Sequence, residues 1–284
     1  MCKRRFSFNL FSVEDVAEPL TKALAAEVES RGRTFKATAE TKTVIGSVSR
    51  WLTDNTLNPG LALVGPTPGN GKSATARAVF NFLCSFPKQM ETRYIRESRE
   101  IQREFHSKMD SIQPMWNTRW SADERQAWVT DHPAEYGEIE ALTNEMEQAY
   151  ITKAGKEKYE QASRIESPSR FYSAQGIATA ALTDWPDTLR DICSNEFVFV
   201  DDIGVESQKV YSKTEVLPIP EVIYRAYDYQ LALIFTSNLA PQDIAKRYGD
   251  RVLDRLREMC EFIAFRGKSF KKRKYNLRAC CFLC

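Results

Sequence analysis

Three short stretches carry the residue types from which phosphate chemistry is built. The first is Gly65-Pro66-Thr67-Pro68-Gly69-Asn70-Gly71-Lys72-Ser73. Small residues let backbone N–H groups approach an anion, a lysine adds a point charge that reaches β- and γ-phosphates, and a hydroxyl can take one position on a magnesium ion. The second is Asp201-Asp202, at the end of the apolar run Phe197-Val198-Phe199-Val200. One carboxylate there can meet a magnesium ion, usually through water, and the other can orient an attacking water beside a γ-phosphate. The third is Asn238, which follows Leu231-Ala232-Leu233-Ile234-Phe235-Thr236 and Ser237. Its amide offers a donor and an acceptor together, enough to hold a phosphate and a water at once.

These groups need a scaffold that brings them to one edge. Leu61-Ala62-Leu63-Val64 reads as a buried strand aimed at the glycine-rich loop, and Ala74-Thr75-Ala76-Arg77-Ala78-Val79-Phe80 as a helix whose N-terminus adds positive potential. The usual pattern sets four residues between the first glycine and Gly-Lys-Ser/Thr. Here five separate Gly65 from Gly71, so either Pro68 is inserted or Pro66 stands in place of the first glycine. The runs ending in Asp201 and Asn238 have the continuous apolar character of strands buried on both faces of a parallel sheet, and such sheets bind ligands outside the carboxyl ends of their strands. A further strand lies either at Arg170-Phe171-Tyr172-Ser173-Ala174, before a helix through Leu182, or at Arg93-Tyr94-Ile95-Arg96.

Composition sets the outer bounds. A chain of 284 residues with 43% apolar content can bury one large core or two smaller ones. With 40 basic and 38 acidic residues the net charge is only +2, so composition alone does not announce a nucleic-acid partner. Charge is uneven, however: Lys3-Arg4-Arg5, and Arg266, Lys268, Lys271, Lys272, Arg273, Lys274 and Arg278, form local basic stretches suited either to a phosphate backbone or to solvation. Seven scattered cysteines, with no signal-peptide pattern and no apolar run of membrane-spanning length, predict free thiols and a cytoplasmic protein. Cys281 and Cys284 lack a nearby second pair of ligands for zinc, and His106 and His132 read as ordinary packing or surface residues.

The remaining segments are helical in pattern. Val13, Val16, Ala17, Leu20, Leu24 and Val28 follow Ser12, a good N-cap; Val44, Ile45, Val48, Trp51 and Leu52 mark a second helix. The helix after the loop is expected to end near Cys84-Ser85-Phe86-Pro87. From residue 90 to about 168 the chain turns long, charged and helical, with Ile101, Phe105, Met109 and Ile112 on one face, a capping box at Ser121-Ala122-Asp123-Glu124, and a stripe at Tyr136, Ile139, Leu142, Met146 and Tyr150. Trp116, Trp120 and Trp128 suit the small core of such an insertion or a surface for a partner.

Taken together, the glycine-rich loop, Asp201-Asp202-Ile203-Gly204-Val205-Glu206, Thr236-Ser237-Asn238-Leu239 and the run from Arg247 through Tyr248-Gly249-Asp250-Arg251 to Leu256 resemble AAA+ ATPases of the DnaC type, the bacterial and phage replicative helicase loaders. The resemblance spans about residues 45–272. It implies an α/β fold: an AAA+ P-loop NTPase core with a parallel sheet flanked by helices over residues 41–284, an N-terminal helical segment over 1–40, and a helical insertion over about 90–168. It implies ATP and Mg2+, with Pro66, Thr67, Pro68, Gly69, Asn70, Gly71, Lys72, Ser73 and Ala74 around the phosphates and Ser73 and Asp201 on the metal. Asp202 takes the catalytic acidic role and Asn238 that of first sensor. Arg255, with Arg251 beside it, becomes a finger supplied to a neighbouring subunit. Lys271 stands in the second sensor where an arginine is usual, keeping the charge and losing the planar fork. The implied partners are further copies of the chain, single-stranded DNA and a ring-shaped replicative helicase, with no membrane. Transposition helpers of the IstB type share nearly all these motifs and imply a transposase instead. A nucleotide-binding adaptor with lost hydrolysis is the reading from another class. No Asn-Lys-x-Asp motif follows the third strand, which disfavours a GTPase, and a metabolic kinase would leave Arg251 and Arg255 idle.

Overall fold

The computed structural model describes residues 6–112, 121–207, 210–211 and 215–267. They divide into two compact units, one formed by residues 1–84 with 166–284 and the other by Ser85–Ile165. The elements of the first unit begin with α1 (Val13–Glu29), α2 (Ala39–Thr53), β1 (Gly60–Val64) and the first turns of α3 (Lys72–Ile112). The rest of α3, with α4 (Ala122–Asp131), α5 (Pro133–Thr152) and α6 (Lys156–Ser163), makes the second unit. The chain returns to the first through β2 (Phe171–Ser173), α7 (Ala174–Ala180), α8 (Trp185–Ile192) and β3 (Phe197–Ile203). A two-stranded ribbon, β4 (Val210–Tyr211) with β5 (Glu215–Val216), precedes α9 (Pro218–Asp228), β6 (Ala232–Ser237), α10 (Pro241–Tyr248), α11 (Asp250–Met259) and β7 (Cys260–Ala264).

Five strands form one sheet in the order β2-β3-β6-β1-β7, and every pairing is parallel. The continuous apolar runs follow from this: a parallel sheet covered by helices buries both faces. Alternate residues divide between the two faces. Ala62, Val64, Val198, Val200, Leu233 and Phe235 join a core with Ile177 of α7, Ile223 of α9 and Leu256 of α11. Their neighbours turn the other way, where Phe199 meets Phe80 at 5.3 Å between ring centroids and Phe197 meets Phe6 at 4.9 Å. Thus the fold is α/β with helices on a parallel sheet. The strand alternatives resolve to Phe171–Ser173, since residues 93–96 lie within α3.

Local signals act where the sequence places them. The Ser12 hydroxyl accepts from the Asp15 amide (3.1 Å) while the Asp15 carboxylate accepts from the Ser12 amide (3.0 Å), closing a capping box that starts α1. Val44, Ile45, Val48, Trp51 and Leu52 are all buried on α2. Ahead of α1, Phe6, Phe8 and Phe11 are buried too, a feature no helical or strand periodicity announces; Phe6 packs on Trp51 and Phe8 on Phe82. The segment from Phe6 to Phe11 is therefore tied to the sheet and its covering layer.

One expectation is corrected. The helix after the glycine-rich loop does not end near Cys84–Pro87; α3 continues to Ile112 with Pro87 inside it. An interior proline forfeits one backbone hydrogen bond and costs a helix about 3 kcal/mol. Buried Phe82, Phe86 and Met90, spaced four apart, carry the apolar stripe through that point. In the second unit Met109, Ile139 and Leu142 form a small core with Phe105 and Trp128, and Ser121 and Glu124 close the expected capping box. His132 stacks on Trp128 at 4.9 Å. Trp116 and Trp120 lie outside the described residues. Among the described residues no helix is long and apolar enough to cross a membrane.

Phe8 is fully buried (0% exposed), so Phe8→Ala should lower stability by about 3–5 kcal/mol. Urea unfolding would show this as a lower midpoint at unchanged slope. A midpoint equal to that of the parent chain would mean that the N-terminal aromatics are not part of the core.

Candidate functional site

Strand β1 delivers the glycine-rich loop to the sheet's carboxyl edge. There the Val64 carbonyl accepts from the Phe265 amide (2.8 Å) and the Gly65 amide donates to the Ser237 carbonyl (3.2 Å). A Cβ on Gly65 would sit 2.3 Å from the Phe265 carbonyl oxygen, so this glycine permits a close backbone approach. The turn itself is made further on by Gly69 and Gly71, at φ 77° and 103°. Pro66, Thr67 and Pro68 thus separate a packing glycine from the two turn glycines. Helix α3 begins at Lys72, and its first i to i−4 bond runs from the Thr75 amide to the Gly71 carbonyl (2.8 Å). The amides of Lys72, Ser73 and Ala74 precede that bond and have no carbonyl within the helix to meet.

Lys72 is buried, with 4% exposure. Its ammonium donates to the Gly65 carbonyl (2.8 Å), the Thr67 carbonyl (3.0 Å) and Asn70 Oδ1 (3.1 Å). Asn70 is itself fixed by donating to the Phe265 carbonyl (3.4 Å). Burial holds the Lys72 pKa below its ordinary value, and the nearby charges of Asp202 and Asp201 partly restore it.

The two acids reach the same cleft through an irregularity in β3. Val200 pairs with Phe235 and Ile203 with Ser237, so Asp201 and Asp202 together stand opposite the single residue Thr236. In a regular strand consecutive side chains point to opposite faces; an inserted residue breaks that rule. Asp202 adopts φ 57°, in the left-handed region that acidic residues tolerate better than most. Thr236 clasps the bulge, its hydroxyl accepting from the Asp202 amide (2.8 Å) and donating to Asp201 Oδ1 (2.6 Å). Ser237 does the same one step on, donating to the Ile203 carbonyl (2.6 Å) and accepting from the Leu239 amide (3.1 Å).

Lys72, Ser73, Asp201, Asp202 and Asn238 all line one cleft of about 1730 Å3, together with Pro68, Gly69, Asn70, Gly71 and Ala74. Pro66 and Thr67 are not among its lining residues, although the Thr67 carbonyl holds Lys72. No family model matches the chain, and neither a curated protein nor a solved structure matches it.

Three parts of the site have no role assigned from the sequence. The cleft's other wall comes from Leu24 to Val44, including Arg31, Arg33 and Lys36 in the α1–α2 connection. Arg31 donates to Glu27 (2.8 Å), and Arg77, which also lines the cleft, lies 4.0 Å from the same carboxylate and 4.3 Å over the Phe171 ring. Arginines of the same chain thus do border the loop. Glu206 is the second. This buried carboxylate (3% exposed) accepts from the Gly204 amide (2.8 Å), from the Tyr248 hydroxyl and from Arg247 (3.4 Å), tying the acidic loop to α10. Burial and the Glu206 partner push the Tyr248 pKa upward. Thr236 is the third.

Arg251 and Arg255 are not among the lining residues of the cleft. On α11, Arg255 lies 4.1 Å over the Tyr227 ring and donates to Glu258 (3.1 Å), while Arg251 lies 5.5 Å over the Tyr224 ring. The intrahelical partner of Arg255 is therefore Glu258. Lys271, Lys3-Arg4-Arg5 and the basic run from Lys268 to Arg278 lie outside the described residues.

A hard-oxygen donor pair, the Ser73 hydroxyl and Asp201, borders the cleft, and among the described residues no group of three or more His, Cys, Asp or Glu could hold a metal. That donor pair fits Mg2+ arriving with phosphates, which needs only one or two protein oxygens.

A methyl group at Gly65 would meet a backbone carbonyl that cannot rotate away. Gly65→Ala should cost about 1–3 kcal/mol in urea unfolding. An unchanged midpoint would show that the close approach to Phe265 is not required.

Proposed function

We propose that the chain is a Mg2+-dependent ATPase of the AAA+ P-loop type that acts in DNA replication as a helicase loader. The observation that carries the nucleotide reading is the convergence of Lys72, Ser73, Asp201, Asp202 and Asn238 on one cleft at the carboxyl ends of three neighbouring strands. In this reading Lys72 exchanges its loop carbonyls for the phosphates, and the amides at the start of α3 cradle them. Ser73 and Asp201 hold Mg2+, which when bound neutralises phosphate charge. Asp202 orients the attacking water and accepts its proton, and Asn238 holds both the γ-phosphate and that water. The connection containing Arg31, Arg33 and Lys36 brings cations to the far wall of the cleft, where Glu27, paired with Arg31, and Glu40 also lie. Assignment to replication rests on the motif resemblance, with single-stranded DNA and a ring-shaped helicase as partners; a transposase captured in place of the helicase would favour the transposition-helper reading.

Arg255 then serves the site of a neighbouring copy, in keeping with its absence from the cleft of its own chain. The same observation also favours a second reading, a nucleotide-binding adaptor without hydrolysis. Mixing separates them. Lys72→Ala should lower calorimetric ATP·Mg2+ affinity by tenfold or more, which is at least about 1.4 kcal/mol. Arg255→Ala should keep affinity but lose turnover, and co-assembled mixtures of the two should regain some of it. Unchanged affinity in folded Lys72→Ala would contradict nucleotide binding at this loop, and a wild-type chain that binds ATP without turnover at any concentration would be the adaptor.

A further inference from the structure

We propose that Thr236 is a positioning residue for the metal-side carboxylate, an inference that rests on the nucleotide reading above. Thr236 is fully buried (0% exposed), one residue from the end of β6 and two before Asn238. Its hydroxyl has a single proton. Because an amide can only donate, the 2.8 Å contact with the Asp202 N–H requires the Thr236 oxygen to accept, and the proton is left for Asp201 Oδ1 at 2.6 Å. The hydroxyl thus reads both acids at once: it fixes the backbone of Asp202 in its left-handed conformation and the side chain of Asp201. One Asp201 oxygen is committed and the carboxylate cannot rotate freely, so its second oxygen is presented in a set orientation.

A strand does not need this group for its ladder, which is made by backbone. Val would fill the same space, suit a buried β position equally well and supply neither bond. The hydroxyl is explained by the acids it touches. Such outer hydrogen bonds to a ligating carboxylate are commonly worth 10–100-fold in metal affinity. Thr236 therefore sets how much Mg2+ the site requires, while the loop residues set how well it holds phosphate without metal.

Calorimetric ATP affinity across a Mg2+ titration, and in EDTA, tests this with the full chain. Thr236→Val should raise the Mg2+ concentration for half-maximal enhancement by about tenfold or more, with ATP affinity in EDTA level with the parent. Thr236→Ser, which keeps the hydroxyl, should restore the low requirement. In an Asp201→Asn background Thr236→Val should add no further shift, because the carboxylate it positions is gone. Should Thr236→Val not fold, Thr236→Ala carries the same comparison. A folded variant with an unshifted Mg2+ requirement, or an equal loss of affinity in EDTA, overturns the assignment. In that case ATP binding by the parent chain still stands; a parent chain that binds no ATP at any Mg2+ concentration overturns both.

Discussion

A buried ammonium is the condition that the site end of this molecule has to satisfy. Removing a charge of this kind from water costs several kcal/mol even after the surroundings relax, unless its donors are all met. Lys72 meets the condition with the Gly65 and Thr67 carbonyls and Asn70 Oδ1, and with the field of two nearby acids. Much of the local architecture follows. The loop must curl back so that its carbonyls face inward, which requires left-handed turns at Gly69 and Gly71 and close backbone passage at Gly65. These acceptors are neutral. A phosphate oxygen makes a stronger, charge-assisted partner, so the arrangement holds the lysine while leaving it exchangeable.

The acids supply the opposing half. Parallel order sets β6 between β1 and β3, so the loop, Asn238 and the acids arrive at adjacent strand ends. Pleating alone would turn one of the two consecutive acids away from the cleft; the bulge and the Thr236 hydroxyl turn both toward it. Glu206 then ties the loop beyond the bulge to Arg247 and Tyr248 on α10, next in sequence to the helix that bears Arg251 and Arg255. The hydrogen bonds from the acidic loop thus reach α10, while Arg255 is held separately by Glu258 and the Tyr227 ring.

The parts legible in the sequence are those written locally. Apolar runs ending in Asp201 and Asn238 gave the buried strands because parallel strands need no alternation, and Ser12 and Ser121 marked helix starts because capping is a contact between residues three apart. Pro87 misled, since a local breaker was outweighed by a buried stripe extending through it. Thr236 and Glu206 stand inside the sequence motifs but receive no role there, for a different reason. Their roles depend on register and on partners about 35 and 42 positions away, which no local pattern encodes. The cleft wall from α1 to α2 was hidden in the same way: no local pattern at Arg31, Arg33 and Lys36 tells that their connection lines a cleft with Lys72.

Exchange of Lys72 is the step on which the whole reading turns, and a crystal structure of the chain with a non-hydrolysable ATP analogue and Mg2+ observes it directly. The account predicts Lys72 Nζ on the β- and γ-phosphate oxygens, released from the Thr67 carbonyl and Asn70 Oδ1, with the metal beside Ser73 and Asp201. An analogue bound elsewhere, with Lys72 still donating to Gly65, Thr67 and Asn70, would contradict it.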